Sequence, residues 1–353
     1  MKDTLRLPVA LRPNRDELLS SWMARVAGRY GLEVPELTAW LAEQGRETQL
    51  PRRVDDRYPD PELLILWART CRVDPGRLTR LSLTSRYPDR PPSWVRERSE
   101  VPVCLGCFDA DFAAGRDGYL RSGWRLVDHV VCPVHREMLQ DRCPVCGGHL
   151  RVSCRMRNGL LRPFCGKCDG LLTGRGGEKR NPSGAELAAS VLDLQRQVQR
   201  IVRGDAEHRA RLEHDIRMLW APLDRVGAAR PVLALWFDQP GWHCPFEARA
   251  AVSTHAPLQH LSVRWRALTL VILRDLFGAD LVSDMALPAA AHTLFRRAAP
   301  IPRRCLGRAP AIGKGKNPVD GIPGRVQRLS KSPVHRLSGN FLDERADFSR
   351  IHP

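Results

Sequence analysis

Cys104-Leu105-Gly106-Cys107, Cys132-Pro133-Val134-His135, Cys143-Pro144-Val145-Cys146 and Cys165-Gly166-Lys167-Cys168 are four pairs of metal-ligand residues, each with two residues between its members. A pair at that spacing in a tight turn aims two side chains at one ion, and two pairs complete the tetrahedron that zinc prefers. Taken in chain order they give a first set of three cysteines and a histidine (Cys104, Cys107, Cys132, His135) and a second set of four cysteines (Cys143, Cys146, Cys165, Cys168). Residues 147–164 separate the pairs of the second set, a span typical of four-cysteine zinc sites. Residues 108–131 make a longer gap than a simple finger uses. Cys154, His129 and His149 lie near enough in sequence to compete as ligands. Disulfides fit such paired spacing poorly, and Met1–Thr4 leads into no apolar secretory segment.

Two structural zinc ions are therefore expected. A catalytic zinc keeps an open coordination position, whereas both sets here fill all four with protein ligands. There is no H-E-x-x-H, and no H-x-E followed by C-x-x-C. A non-enzyme is expected, with no catalytic residue. Asp109 and Asp111 are the nearest thing to a nuclease acid pair and are expected to be solvated in a long loop. Cys71, Cys154, Cys244 and Cys305 read as buried or incidental thiols.

The formal net charge is +17, from 56 Lys and Arg against 39 Asp and Glu. Such a balance favours a polyanionic partner, DNA first. No apolar run reaches the length of a membrane span, and the expected setting is cytoplasmic and nucleoid-associated. A homodimer is compatible with the sequence.

Along the chain the periodicity is mainly helical. Asn14 with Glu17 reads as a capping box, followed by Leu18, Leu19, Trp22, Val26 and Tyr30 at helical spacing and a stop at Gly31. Pro35 to Gly45 is a second helix. Asp60-Pro61 and Asp74-Pro75 open a third and a fourth, which together resemble a helix-turn-helix whose second helix carries Arg77 and Arg80 as candidate DNA contacts. Residues 86–100 read as a linker. Trp124 and Leu126 are expected to pack inside the zinc block, and Arg151 to Arg162 reads as a basic loop or hairpin. Ser183 with Glu186 starts a helix with Leu187, Val191, Leu194, Val198 and Ile201 on one face. Further helices are expected at Leu212–Trp220, Pro231–Phe237 and Val263–Phe277. The tryptophans 220, 236, 242 and 265 are expected in the core. The organisation expected is an N-terminal helical, helix-turn-helix-like domain (1–95), a double zinc-binding module of zinc-ribbon or finger type (96–172), a C-terminal helical domain (183–300) and a basic, disordered tail (301–353).

Two stretches carry a resemblance to the TniQ family of transposition proteins, related to the TnsD target selectors. One is Leu7-Pro8-Val9, Arg12-Pro13 and Asp16-Glu17-Leu18-Leu19-Ser20-Ser21-Trp22. The other is the zinc block, with Tyr119-Leu120-Arg121, Trp124-Arg125-Leu126, Cys132-Pro133-Val134-His135 and Asp141-Arg142-Cys143-Pro144-Val145-Cys146-Gly147. The resemblance covers about residues 5–170. It implies a non-catalytic accessory protein that selects a target site by binding DNA or an RNA-guided effector complex. Its further partners would be an AAA+ transposition ATPase and a transposase. The alternative is a zinc-containing helix-turn-helix transcriptional regulator.

Overall fold

Asp60 and Asp74 each precede a proline, and each accepts a hydrogen bond from the backbone N–H three residues on, Leu63 at 2.9 Å and Arg77 at 2.7 Å. A carboxylate at the N-cap with proline at the first helical position satisfies an otherwise orphaned donor and fixes φ for the first turn. The helices they open are α3 (Pro61–Cys71) and α4 (Pro75–Thr79). Before them come α1 (Leu19–Gly28) and α2 (Val34–Gly45), and after them a single turn, α5 (Leu83–Arg86). The computed structural model describes residues 6–45, 50–51, 53–96, 100–174, 182–223, 230–237, 244 and 246–278.

Helix α1 begins later than its capping box predicts. Glu17 does reach back to the Asn14 N–H at 3.0 Å, yet residues 15–16 form a turn and the helix starts at Leu19. The reason is that the backbone at residues 17–18 is held extended: Glu17 forms a β-bridge with Arg121 and the Leu18 N–H donates to the Leu120 carbonyl, while the Glu17 side chain is fully buried and ion-paired to Arg25 at 2.8 Å. Leu19, Trp22, Met23 and Val26 pack against Leu37, Leu41, Leu63 and Trp67. The Trp22 and Trp67 rings meet edge to face at 5.8 Å, a geometry the aromatic quadrupole favours. Both indole N–H groups are satisfied, by the Leu11 carbonyl and by Thr38 Oγ1.

The middle of the chain has a helix, α6 (Leu105–Ala113), and one antiparallel hairpin, β1 (Val152–Arg157) with β2 (Leu160–Cys165). The expected basic loop or hairpin is thus a hairpin, turned by Asn158 and Gly159 at positive φ. The long loop expected after Cys107 is instead α6. Asp111 on it is fully buried and holds Arg121 at 2.9 Å, so it is not solvated. Residues 86–96 are not a loose linker either. Trp94 is buried, and Arg90 is ion-paired to Asp128 with both side chains buried.

After residue 181 the chain is helical again: α7 (Pro182–Arg203), α8 (Ala206–Leu219), the single turns α9 (Phe246–Arg249) and α10 (Pro257–His260), and α11 (Val263–Phe277). Residues Val232–Phe237 form a 3-10 helix. Val191, Leu194 and Val198 of α7 are buried as their spacing predicts, and so is Trp220, which meets Trp265 edge to face at 6.0 Å. The architecture is mainly α with one small sheet. No helix among the described residues is long and apolar enough to cross a membrane. The Ser183–Glu186 box, Leu187, Trp242, Cys305 and the tail 301–353 lie outside the described side chains.

Polar contacts tie these late helices to the middle of the chain. Gln195 of α7 is buried. Its Oε1 accepts from the N–H groups of Val130 and Val131, both at 2.8 Å, and its Nε2 donates to the Val131 carbonyl at 3.0 Å. The Arg266 guanidinium, fully buried in α11, donates to the Val127 carbonyl at 2.8 Å. Gln195→Leu strands three backbone groups, and leaving buried groups unsatisfied costs roughly 1–3 kcal/mol apiece. A loss of at least about 2 kcal/mol in denaturant unfolding is the expected result; wild-type stability would refute the role.

Candidate metal centres

Three of the four ligand pairs share one local geometry. In each, the first ligand's N–H donates to the carbonyl five residues on: Cys132 to Glu137 (2.8 Å), Cys143 to Gly148 (2.8 Å) and Cys165 to Gly170 (2.9 Å). In each, the residue after the second ligand donates back to the first ligand's carbonyl, from Arg136, Gly147 and Asp169. That returning residue has positive φ every time: 53°, 66° and 54°. Such a turn points both ligand side chains to the same side, which is why two intervening residues suffice. The fourth pair is built differently. Cys104 is the N-cap of α6 and Cys107 lies in its first turn. Gly106 between them has no room for a side chain, since a Cβ there would stand 2.9 Å from the His135 ring.

The turns bring the eight residues into two tetrads. Cys104, Cys107, Cys132 and His135 form one and Cys143, Cys146, Cys165 and Cys168 the other, with the ligand atoms of each within 4.8 Å of one another. In the first, Cys107 Sγ lies 3.7 Å from Cys132 Sγ and 3.4 Å from His135 Nδ1, and Cys104 Sγ is 3.5 Å from the same nitrogen. In the second, Cys143 and Cys168 Sγ are 3.7 Å apart. A tetrahedron with zinc–sulfur bonds of about 2.3 Å has edges of about 3.8 Å, slightly shorter where a nitrogen replaces a sulfur. The observed separations match those edges and are far too long for disulfides, which need about 2.0 Å. Each tetrad could hold a metal ion. His129, His149 and Cys154, the sequence competitors, belong to neither tetrad.

The thiols of the first tetrad are close enough to share protons. Hydrogen bonding from Cys104 and Cys107 holds the Cys132 thiol far below its ordinary range, while the same contacts push Cys104 up. Crowded thiols share their protons unevenly, and a divalent ion in their midst replaces those protons. In the second tetrad the Val145 N–H donates to Cys143 Sγ at 3.3 Å, as a thiolate acceptor would want. Cys143 and Cys165 are buried there and Cys146 and Cys168 exposed, so this tetrad sits at the surface.

Two stretches far apart in sequence meet beside the first tetrad. The Leu18 N–H donates to the Leu120 carbonyl at 2.9 Å, Ser122 to the Asp16 carbonyl at 2.7 Å, and the Leu120 N–H to Ser21 Oγ at 2.8 Å. Asp16–Ser21 thus pairs with Tyr119–Ser122. Buried charges reinforce the joint. Arg25 bridges Glu17 and Asp117, Arg29 holds Asp117 at 2.7 Å, and Asp117 also accepts from the Leu161 N–H of β2. Arg121 stacks on Tyr119 and Trp124 while paired to Asp111. Sequence reasoning misses this network, because nothing local signals which acids and arginines will meet.

The candidate DNA contacts sit on a short element, α4, of five residues. Arg77 donates to the Pro13 carbonyl at 3.1 Å, and Arg80 lies exposed, 3.7 Å from Asp74. Neither belongs to a tetrad. As for the acid pair, Asp111 is committed to arginines and Asp109 accepts from the Gly174 N–H at 2.6 Å.

No curated protein matches the chain. The TniQ family model does match, over residues 8–139, a span that holds both hydrogen-bonded stretches and the whole first tetrad. Over residues 8–139 the chain is thus similar to the TniQ family.

Proposed function

We propose that the chain is a non-catalytic accessory protein of DNA transposition, which selects a target site by binding DNA and recruits an AAA+ transposition ATPase and its transposase. An RNA-guided complex is the other route by which a protein of this kind reaches its target. In this reading residues 1–95, 96–172 and 183–300 act as helical, double-zinc and helical parts, working on DNA in the cytoplasm. The observation that carries it is the TniQ domain match, supported by the charge of +17. Zinc is the ion we assign to both tetrads, since thiolate-rich tetrahedral sets favour it. Held by Cys104, Cys107, Cys132 and His135, and by Cys143, Cys146, Cys165 and Cys168, the two ions would brace the fold and present no open position for chemistry. Arg77 and Arg80 remain candidate phosphate contacts on α4.

Affinity purification of the tagged protein from its native host, with mass spectrometry of what copurifies, tests the proposal. Recovery of a transposition ATPase or an RNA-guided effector is expected. Recovery of RNA polymerase subunits alone would replace it with transcriptional regulation.

A further inference from the structure

The solvent side of α7 carries Arg196, Arg200 and Arg203, all exposed, with Gln199 between them, lining one shallow concavity. Their spacing of four and then three residues puts them in one row on the helix surface. By helix geometry the row is roughly 10 Å long. One strand of B-DNA carries about three phosphates over that distance along its axis. Only Arg196 has a carboxylate partner among the described residues, Asp193 at 3.0 Å, and that pair is well exposed and easily exchanged for a phosphate. The opposite face of the same helix is anchored. Val191, Leu194, Val198 and Val202 are buried there, and Gln195, next to Arg196, clasps the backbone of Val130 and Val131 just before the metal-ligating turn at Cys132.

We infer that the Arg196–Arg200–Arg203 row is a docking surface for the phosphate backbone of duplex DNA, held rigid by the clasp of Gln195 on the segment entering the first tetrad. Charge complementarity selects the occupant: guanidinium groups in a row suit phosphate oxygens, and the shallow concavity they line is rimmed mainly by those cations. The docking would be independent of DNA sequence and would set position along the duplex. It lies outside the TniQ domain match and rests on the reading of the protein as a DNA binder. The competing use of the row is structural, because cations in the last turns of a helix also interact well with its C-terminal dipole.

The test is fluorescence anisotropy with a labelled duplex of mixed sequence, over a salt series, using the full chain loaded with zinc. The triple variant Arg196→Ala/Arg200→Ala/Arg203→Ala should bind more weakly, and its slope of log affinity against log salt should be shallower by about 0.9 for each phosphate no longer neutralised. The triple lysine variant should keep most of the slope. Arg200→Glu alone should weaken binding, and this keeps the test open if the triple alanine variant folds poorly. Wild-type slope in the triple alanine variant, or equal loss in the lysine variant, would overturn the inference while leaving the protein a DNA binder. A lower melting temperature with unchanged DNA affinity would make the row a helix-end device. If the wild-type protein binds no duplex at all, direct DNA binding in the proposed function falls as well.

Discussion

Cys165→Ser is expected to release one of two bound zinc equivalents and to unfold the hairpin of residues 152–165 together with the turns around it. Cys165 is fully buried, ends β2, and belongs to the second tetrad. Small metal modules take much of their folding free energy from the ion, with apparent values of about 10–16 kcal/mol for structural zinc in isolated fingers. A serine hydroxyl is no thiolate, and the remaining three ligands would close the site poorly. Zinc stoichiometry and limited proteolysis report the two halves of the effect. Cys154→Ser is the matched control: it lies within β1 but in neither tetrad, and should keep both equivalents. Two equivalents and a wild-type digestion pattern in Cys165→Ser would remove the case for a structural ion there.

The second large effect is at Arg25. Arg25→Leu leaves the buried Glu17 carboxylate without its ion-pair partner, and breaking such a pair costs about 3–5 kcal/mol. Burial raises the Glu17 carboxyl above its ordinary range, and Arg25 opposes that rise, as do hydrogen bonds from Asn14 and Ser21. Without Arg25 the folded-state value climbs further. A carboxyl raised in the folded state binds more protons there than in the unfolded chain, so stability falls as pH rises from the unfolded value to the folded one. The deficit of Arg25→Leu should therefore be small in acid, below the ordinary carboxylate range, and grow towards neutral pH. Denaturant unfolding at about pH 4 and about pH 8 reads the difference. Adding Glu17→Gln should recover part of the loss and flatten the pH dependence. A deficit equal at both pH values would mean that packing, and not the stranded charge, is what Arg25 supplies.

These two residues also mark the boundary between what can be read from a sequence and what cannot. The eight tetrad residues are legible because their turns are local, three of them closed by hydrogen bonds spanning four or five residues. Local spacing alone decides where such side chains point. The caps at Asp60 and Asp74, the apolar stripe of α7 and the helices near Leu212 and Val263 are legible for the same reason. Glu17 reads as a plain capping residue, and Asp111 as a solvated loop acid, because each is defined by a partner its own neighbourhood does not reveal. For Glu17 that partner is Arg25, inside a joint whose other half comes from around residue 120. For Asp111 it is Arg121.

By itself the sequence determined which eight residues form the tetrads, the helical class and the starts of α2, α3, α4 and α11, since these follow from covalent spacing, capping chemistry and the 3.6-residue period. Only the tertiary structure decided that Asp16–Ser21 pairs with Tyr119–Ser122, that Gln195 clasps the segment leading to Cys132, and that the arginines of α7 share one open face. Those facts depend on which distant surfaces exclude water together. That is a property of the whole packed chain, and no short window of residues contains it.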